Sequence, residues 1–194
     1  IYAIETGLSS DPAMNWRLSQ LDRLQLLSNS DSHSPEKIGR EANVFNFDRM
    51  TYEELYDAIR YKDKRKLLRT YEFYPEEGKY HFDGHRNCNV SMAPEETKKA
   101  NGICPVCKKP LTIGVLNRVE ALADRPDGFT PKNAVPFESL VPLKEILGDA
   151  IGKKSSTNAV DGLYYPLIKH FGNEFAVLHA KHDELKKAGG ERLA

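Results

Sequence analysis

The sequence predicts a mixed α+β chain in three parts, and three observations carry that prediction. Residues 1–50 alternate short apolar runs with helical spacing, as strands and helices do at the end of an α/β barrel. Residues 51–125 hold two knuckle-like half-sites, His85-x2-Cys88 and Cys104-x2-Cys107, between flanking helices. Residues 126–194 open on a proline-rich stretch and then read as helices, with almost no strand signal.

Along the first part, Ile1–Glu5 reads as a strand, followed by a loop through Gly7, Ser9 and Ser10. Asp11-Pro12 then offers an N-cap and a proline at the first helical position, and Met14, Leu18 and Leu21 share one face of the helix it opens. Gln25–Ser28 is a second strand, which runs into the polar loop Asn29–Pro35. Strands this few cannot close a barrel. With Ile1 in place of an initiator Met, we expect a piece of a longer protein.

In the second part Thr51 caps a helix to Tyr61, with Glu54 at the capping-box position. The basic run Lys62, Lys64, Arg65, Lys66 and Arg69 follows, then expected strands at Tyr71–Pro75 and Lys79–Phe82. Ile113–Arg125 is an amphipathic helix with Val115, Val119 and Leu122 on one face. In the third part 126–142 reads as a linker, and helices are expected near 142–151, 157–171 and 173–188.

Formal net charge is zero, so attraction to a polyanion must be local. With neither a membrane-length apolar run nor a signal peptide, a soluble cytoplasmic protein is expected. Three cysteines make a poor disulfide framework, and all three fall inside the paired half-sites. A structural zinc ion takes four nitrogen or sulfur ligands in a tetrahedron, and a two-residue gap lets one tight turn supply two of them. His85, Cys88, Cys104 and Cys107 are therefore the expected ligands, with His81 as the weaker alternative to His85. Four protein ligands leave no open position, so this metal is expected to hold the fold together rather than to react.

Asp31 and His33 stand two residues apart in a loop at a strand end, where a carboxylate and an imidazole can converge on zinc, manganese or iron. By composition alone Asp-Ser-His-Ser-Pro is equally a plain turn. Arg86, Lys108 and Lys109 beside the knuckles, and Arg17 and Arg40 nearer the Asp31 loop, are candidate phosphate contacts. Salt bridges explain Arg17 and Arg40 as readily. The basic run with Tyr61 and Tyr71 alongside is either a phosphate-contacting surface or a solvated charged face, and Glu5 is a further possible ligand at its strand end.

The run Ile4-Glu5-Thr6-Gly7-Leu8-Ser9-Ser10-Asp11-Pro12, then Ser28–Pro35 and Gly39-Arg40-Glu41, resembles the end of a PHP (polymerase and histidinol phosphatase) domain. With Gly84–Cys88, Cys104–Cys107 and Gly114–Arg125 it resembles more narrowly the endonuclease Q branch. The resemblance implies the remnant of a PHP α/β barrel, a zinc ribbon and a helical C-terminal domain. It further implies a metal-dependent endonuclease that nicks DNA on the 5′ side of deaminated bases or abasic sites. Asp31 and His33 match the last ligand pair of the PHP catalytic cluster, which takes zinc, manganese or magnesium. DNA containing such lesions is the implied partner, and any helicase or replication-clamp partner is left open. The His-x-His motif and the intermediate ligands have no counterpart here, so the chain alone is expected not to cleave DNA. The alternatives are a non-catalytic zinc-ribbon module that binds nucleic acid or protein, and, less favoured, a small-molecule PHP phosphatase.

Overall fold

The computed structural model describes residues 1–189, which form two units divided between Leu140 and Val141. As expected, the architecture mixes helices with small sheets. In the first unit β1 (Ala3–Glu5) lies parallel to β2 (Gln25–Leu27), with Ile4 opposite Leu26. Because the pair is parallel, Glu5 and the loop that follows Leu27 lie at the same end of this sheet.

Helix α1 (Pro12–Trp16) begins where the sequence places it, with the Asp11 carboxylate accepting the Met14 N–H at 2.8 Å. It is shorter than its apolar spacing predicts: the chain leaves the helix after Trp16, and Ser19–Leu21 winds as a 3-10 turn. Met14 and Leu18 are buried nonetheless, against Val119.

β3 (Ala42–Phe45), which the sequence reading missed, pairs antiparallel with β4 (Leu67–Glu72). Between them α2 (Tyr52–Arg60) is capped by Thr51, whose hydroxyl accepts the Glu54 N–H. The Glu54 carboxylate does not complete a capping box; it pairs with Lys66 instead. The strand expected at Tyr71–Pro75 begins four residues earlier, because Leu67, Thr70 and Glu72 are the residues the sheet buries. Of the basic run only Arg69 is therefore in the strand, paired to Glu138, while the rest precedes it in a turn, with Arg65 paired to Asp63.

The expected strand at Lys79–Phe82 is a turn. The ladder forms just after it, as β5 (Asp83–His85) against β6 (Val90–Met92). A short helix not anticipated from the sequence, α3 (Pro94–Lys99), follows, and α4 (Val115–Leu122) completes this region. On α4, Val119 is buried while Leu122 is 40% exposed, since the helix ends there. Gly114 is required at the α4 N-terminus: a Cβ there would stand 2.4 Å from the Phe82 carbonyl carbon and 2.5 Å from the His81 carbonyl oxygen. That close approach lets Val115 and Leu116 donate their N–H groups to Tyr80 and His81. The stretch read as a linker over 126–142 contains β7 (Phe137–Ser139), parallel to β4 with Phe137 opposite Thr70.

The second unit is helical. α5 (Leu143–Ala150) and α6 (Asn158–Phe171) match expectation, and Leu143, Leu147, Val160, Leu167 and Val177 form its core. The last expected helix is two, α7 (Glu174–Leu178) and α8 (His182–Gly189), separated at His179–Lys181. Among the described residues, no helix is long and apolar enough to cross a membrane.

Candidate metal centre and the loop after β2

β5, the turn Arg86–Cys88 and β6 present His85 and Cys88; the turn Cys104–Lys108 presents Cys104 and Cys107. The two turns share a device. The residue after each second ligand has a positive φ, +51° at Asn89 and +60° at Lys108, which folds the chain back on itself. The bridge Ile103–Pro110 closes the second turn on itself, and the bridge Gly84–Thr112 ties it to the first. One ligand atom from each of the four residues lies within 4.8 Å of the others, with the Cys107 Sγ 3.5 Å from the His85 Nδ1.

The donor set fits zinc in its structural, closed form: three sulfurs and one imidazole, with Cys104 fully buried. Burial, with hydrogen bonds to the Cys107 and Cys104 thiols, pushes the Cys88 thiol up to about 11. At Cys104 burial also raises the pKa, but the backbone N–H groups of Cys107 and Val106 outweigh it and the thiol falls. N–H groups aimed at a sulfur are the arrangement a thiolate ligand needs. The alternative ligand, His81, is 3% exposed and its Nδ1 lies 3.1 Å from the Ser9 carbonyl, away from this cluster.

Asp83, two residues before His85, is the anchor that sequence reading missed. Its carboxylate is 1% exposed and accepts the Gly114 N–H at 2.6 Å and the Asn117 amide. It thus ties the first turn to the N-terminus of α4. An acidic residue directly before Gly84-His85 was the available signal.

Asp31 and His33 sit on the loop after β2, 77% and 91% exposed in their side chains, with Oδ1 and Nε2 3.9 Å apart. Asp31 holds a positive φ of +42°. The loop is pinned from below: Arg40 Nε donates to the Ser30 carbonyl at 2.9 Å, and Asn43 Nδ2 to the Ser28 carbonyl at 2.6 Å. Among the described residues, no third carboxylate, thiol or imidazole gathers with this pair.

Beneath the same sheet end lies a buried carboxylate layer that the sequence did not reveal. Glu72 is fully buried and accepts the Thr6 hydroxyl at 2.9 Å and the Thr70 hydroxyl. Burial raises its pKa. Glu41 is 3% exposed; burial first, then the neighbouring Glu72 carboxylate, pushes it up to about 7. Thr70 and Glu72, two residues apart on β4, are buried together, and that spacing was the one signal that an acid faced the interior.

Of the candidate phosphate contacts, Arg86, Lys108 and Lys109 are exposed around the metal-binding turns, with Lys108 Nζ on the Pro105 carbonyl at 3.0 Å. Arg17 is held in a two-point ion pair with Glu120, at 2.6 and 3.2 Å, with its side chain 12% exposed. The structure thus gathers the four expected metal ligands into one site and keeps Arg17 in a salt bridge.

Comparison with known proteins places this fold. Residues 16–63 match the PHP-associated family model, and residues 142–193 match the MJ0043 C-terminal domain model. The chain is 38% identical over 192 residues to Uncharacterized protein MJ0043 of Methanocaldococcus jannaschii, covering 95% of this chain and 24% of that protein. It is 34% identical over 185 residues to Uncharacterized protein YqxK of Bacillus subtilis, covering 95% of this chain and 43% of that one. The lesion-specific endonuclease PfuEndoQ from Pyrococcus furiosus superposes with a TM-score of 0.85 at 31% identity, over all of this chain and 48% of its own. An endonuclease Q in complex with a 27-mer duplex carrying an abasic lesion superposes at 0.87, again at 31% identity, over all of this chain and 49% of its own. In fold and sequence the chain is similar to endonuclease Q over its whole length, and residues 16–63 carry the PHP-associated match. It spans about half the length of the solved relatives and less than half of the curated ones.

Proposed function

We propose that this chain forms part of a metal-dependent DNA endonuclease that nicks on the 5′ side of deaminated bases or abasic sites. The observation that supports this best is the similarity of the whole chain to endonuclease Q, one structure of which holds abasic DNA. In this reading Asp31 and His33 contribute two ligands to a catalytic cluster whose remaining ligands the chain does not itself supply. When bound, such metals activate a water and stabilise charge on the phosphate oxygens. The chain's own residues do the positioning: Arg40 and Asn43 fix the loop backbone. His85, Cys88, Cys104 and Cys107 hold a zinc ion that keeps Arg86, Lys108 and Lys109 on a rigid surface, where they meet the DNA backbone. Alone, the chain binds DNA without cutting it.

The second reading is a zinc-ribbon module that binds nucleic acid and contributes nothing to catalysis. The zinc-ligand geometry suits both. The discriminating assay incubates uracil-containing and abasic duplexes, with manganese or magnesium, with this chain and with a longer form that adds the missing PHP ligands. Nicking by the longer form, lost on Asp31→Asn or His33→Ala, supports the nuclease. Binding by both forms with no nicking by either overturns it in favour of the module.

A further inference from the structure

A cavity of about 650 Å³ opens within the first unit and shares no wall residue with the zinc ligands or with Asp31 and His33. Gln25, at the start of β2, stands in its wall, whereas the Asp31 loop follows the far end of that strand. Two places six residues apart along an extended chain are separated by up to about 20 Å. No residue of the Asp31 loop lines the cavity, so it is a different site from the one the nuclease reading uses, and it is in the size range of small-ligand pockets.

Its walls combine rings and cations. Trp16 and Phe129 both line it. Trp16 is held edge-on by Phe137 at 5.5 Å, and the Arg125 guanidinium lies 4.4 Å from the Phe129 ring centre. The basic residues of the wall are Lys62, Lys64, Arg125 and Lys132, and its one acidic residue is Asp22. Asp22 is shared between Arg125, at 2.8 Å, and the nearby Lys62 charge, which leaves Lys64 and Lys132 with no carboxylate in the wall to offset them. Their known bonds go to carbonyl oxygens: Lys62 Nζ to Asp22 and Lys64 Nζ to Lys132. A buried acceptor completes the set. Gln25 is 3% exposed, its amide nitrogen donates to the Leu26 carbonyl at 2.8 Å, and its Oε1 has no partner.

Rings, two ammonium groups with no carboxylate in the wall and an orphan acceptor together ask for a planar heterocycle with an N–H donor and an attached anion. Aromatic walls take the ring by stacking, an acceptor without a donor selects an N–H, and clustered lysines select phosphate. We propose that this cavity is a nucleotide subsite. The base lies against Trp16 and Phe129 with an N–H on the Gln25 Oε1, and the 5′-phosphate lies on Lys62, Lys64 and Lys132. The nucleotide is either free in solution or one unit of a DNA strand; the ligand chemistry is shared. The subsite needs neither catalytic metal nor nicking, so it stands or falls independently of the nuclease reading.

The chain carries a single tryptophan, so Trp16 is a clean reporter. Its fluorescence and its indole N–H resonance are followed while 2′-deoxyadenosine 5′-monophosphate, deoxyadenosine, inorganic phosphate, oligo(dA) or an abasic oligonucleotide is added. A saturable response to the mononucleotide, at least tenfold tighter than to the nucleoside or to phosphate, supports the free source. A response to oligo(dA) and not to the mononucleotide or the abasic strand supports a base presented by DNA. Gln25→Leu should weaken the response at least tenfold, and Lys64→Ala/Lys132→Ala should remove the preference for nucleotide over nucleoside. Because Lys64 and Lys132 are exposed, that variant folds even if Gln25→Leu does not. No Trp16 response to any probe overturns the proposal, as does a response that the Lys64→Ala/Lys132→Ala variant leaves unchanged.

Discussion

Replacing Asp83 by alanine tests how the metal-binding region is held to the rest of the first unit. The carboxylate is 1% exposed and accepts the Gly114 N–H at 2.6 Å and the amide of Asn117. Hydrogen bonds to a charged group contribute roughly 1.5–3 kcal/mol each, and a donor left buried adds its own desolvation cost. The Asn117 amide is partly exposed and can turn to water, so its share lies at the low end. Asp83→Ala should therefore destabilise the chain by about 3–5 kcal/mol, with Asp83→Asn, which keeps the bond to Gly114, costing about half of that. For a chain of this size each kcal/mol lowers Tm by roughly 2–4 °C, so the alanine variant should melt on the order of 10 °C lower. Urea unfolding followed by circular dichroism measures the loss, and a chromophoric chelator measures zinc release, which should quicken because Asp83 lies two residues from His85. A cost below about 1 kcal/mol with unchanged zinc release would refute the anchoring role.

Three further outcomes are expected. Glu41 has its pKa raised from 4.5 to about 7, so between those values only the folded state keeps the proton and stability falls as pH rises. The full shift sets an upper figure of about 3 kcal/mol; Glu41→Gln should flatten this slope and stabilise the chain at pH values above the window, as urea titrations on either side of it would show. Lys108 holds φ +60°, so Lys108→Gly should stabilise by about 0.5–1 kcal/mol in the same measurement, whereas a loss would show that its bond to Pro105 outweighs the strain. Metal analysis should find close to one zinc per chain, and Cys104→Ser should lose it together with the β5–β6 signal; a variant that kept both zinc and fold would remove Cys104 from the ligand set.

What could be read from the sequence was whatever rests on short-range chemistry. The Asp11-Pro12 start of α1, the Thr51 cap and the paired turns each depend on a few adjacent residues, and each stands where spacing puts it. What could not be read depends on partners far along the chain. β3 and β7 are three or four residues long and take their identity from β4, which neither local propensity nor alternation reveals. The basic run looked like one charged surface, yet it is distributed between a turn and a strand, with Arg65, Lys66 and Arg69 matched by Asp63, Glu54 and Glu138. At the loop after β2 the Asp31–His33 pair was visible, but the support from Arg40, Asn43 and the acids Glu41 and Glu72 was not. Those contacts exist only once three separate segments pack.

The pairing of β7 with β4 has an architectural consequence. Parallel neighbours cannot be joined by a hairpin; they need a crossover of a dozen or more residues, usually a helix whose apolar face is glued to the sheet. Here the whole segment between Glu72 and Phe137, the four-residue His/Cys cluster included, is that crossover. The four-ligand cluster, α3 and α4 thus stand where a single helix stands in an ordinary βαβ unit. An engineer who wished to excise the ribbon could not close the gap with a tight turn. A replacement would have to span the same sheet edge, and bring with it enough apolar surface to make up for what the excised segment buries.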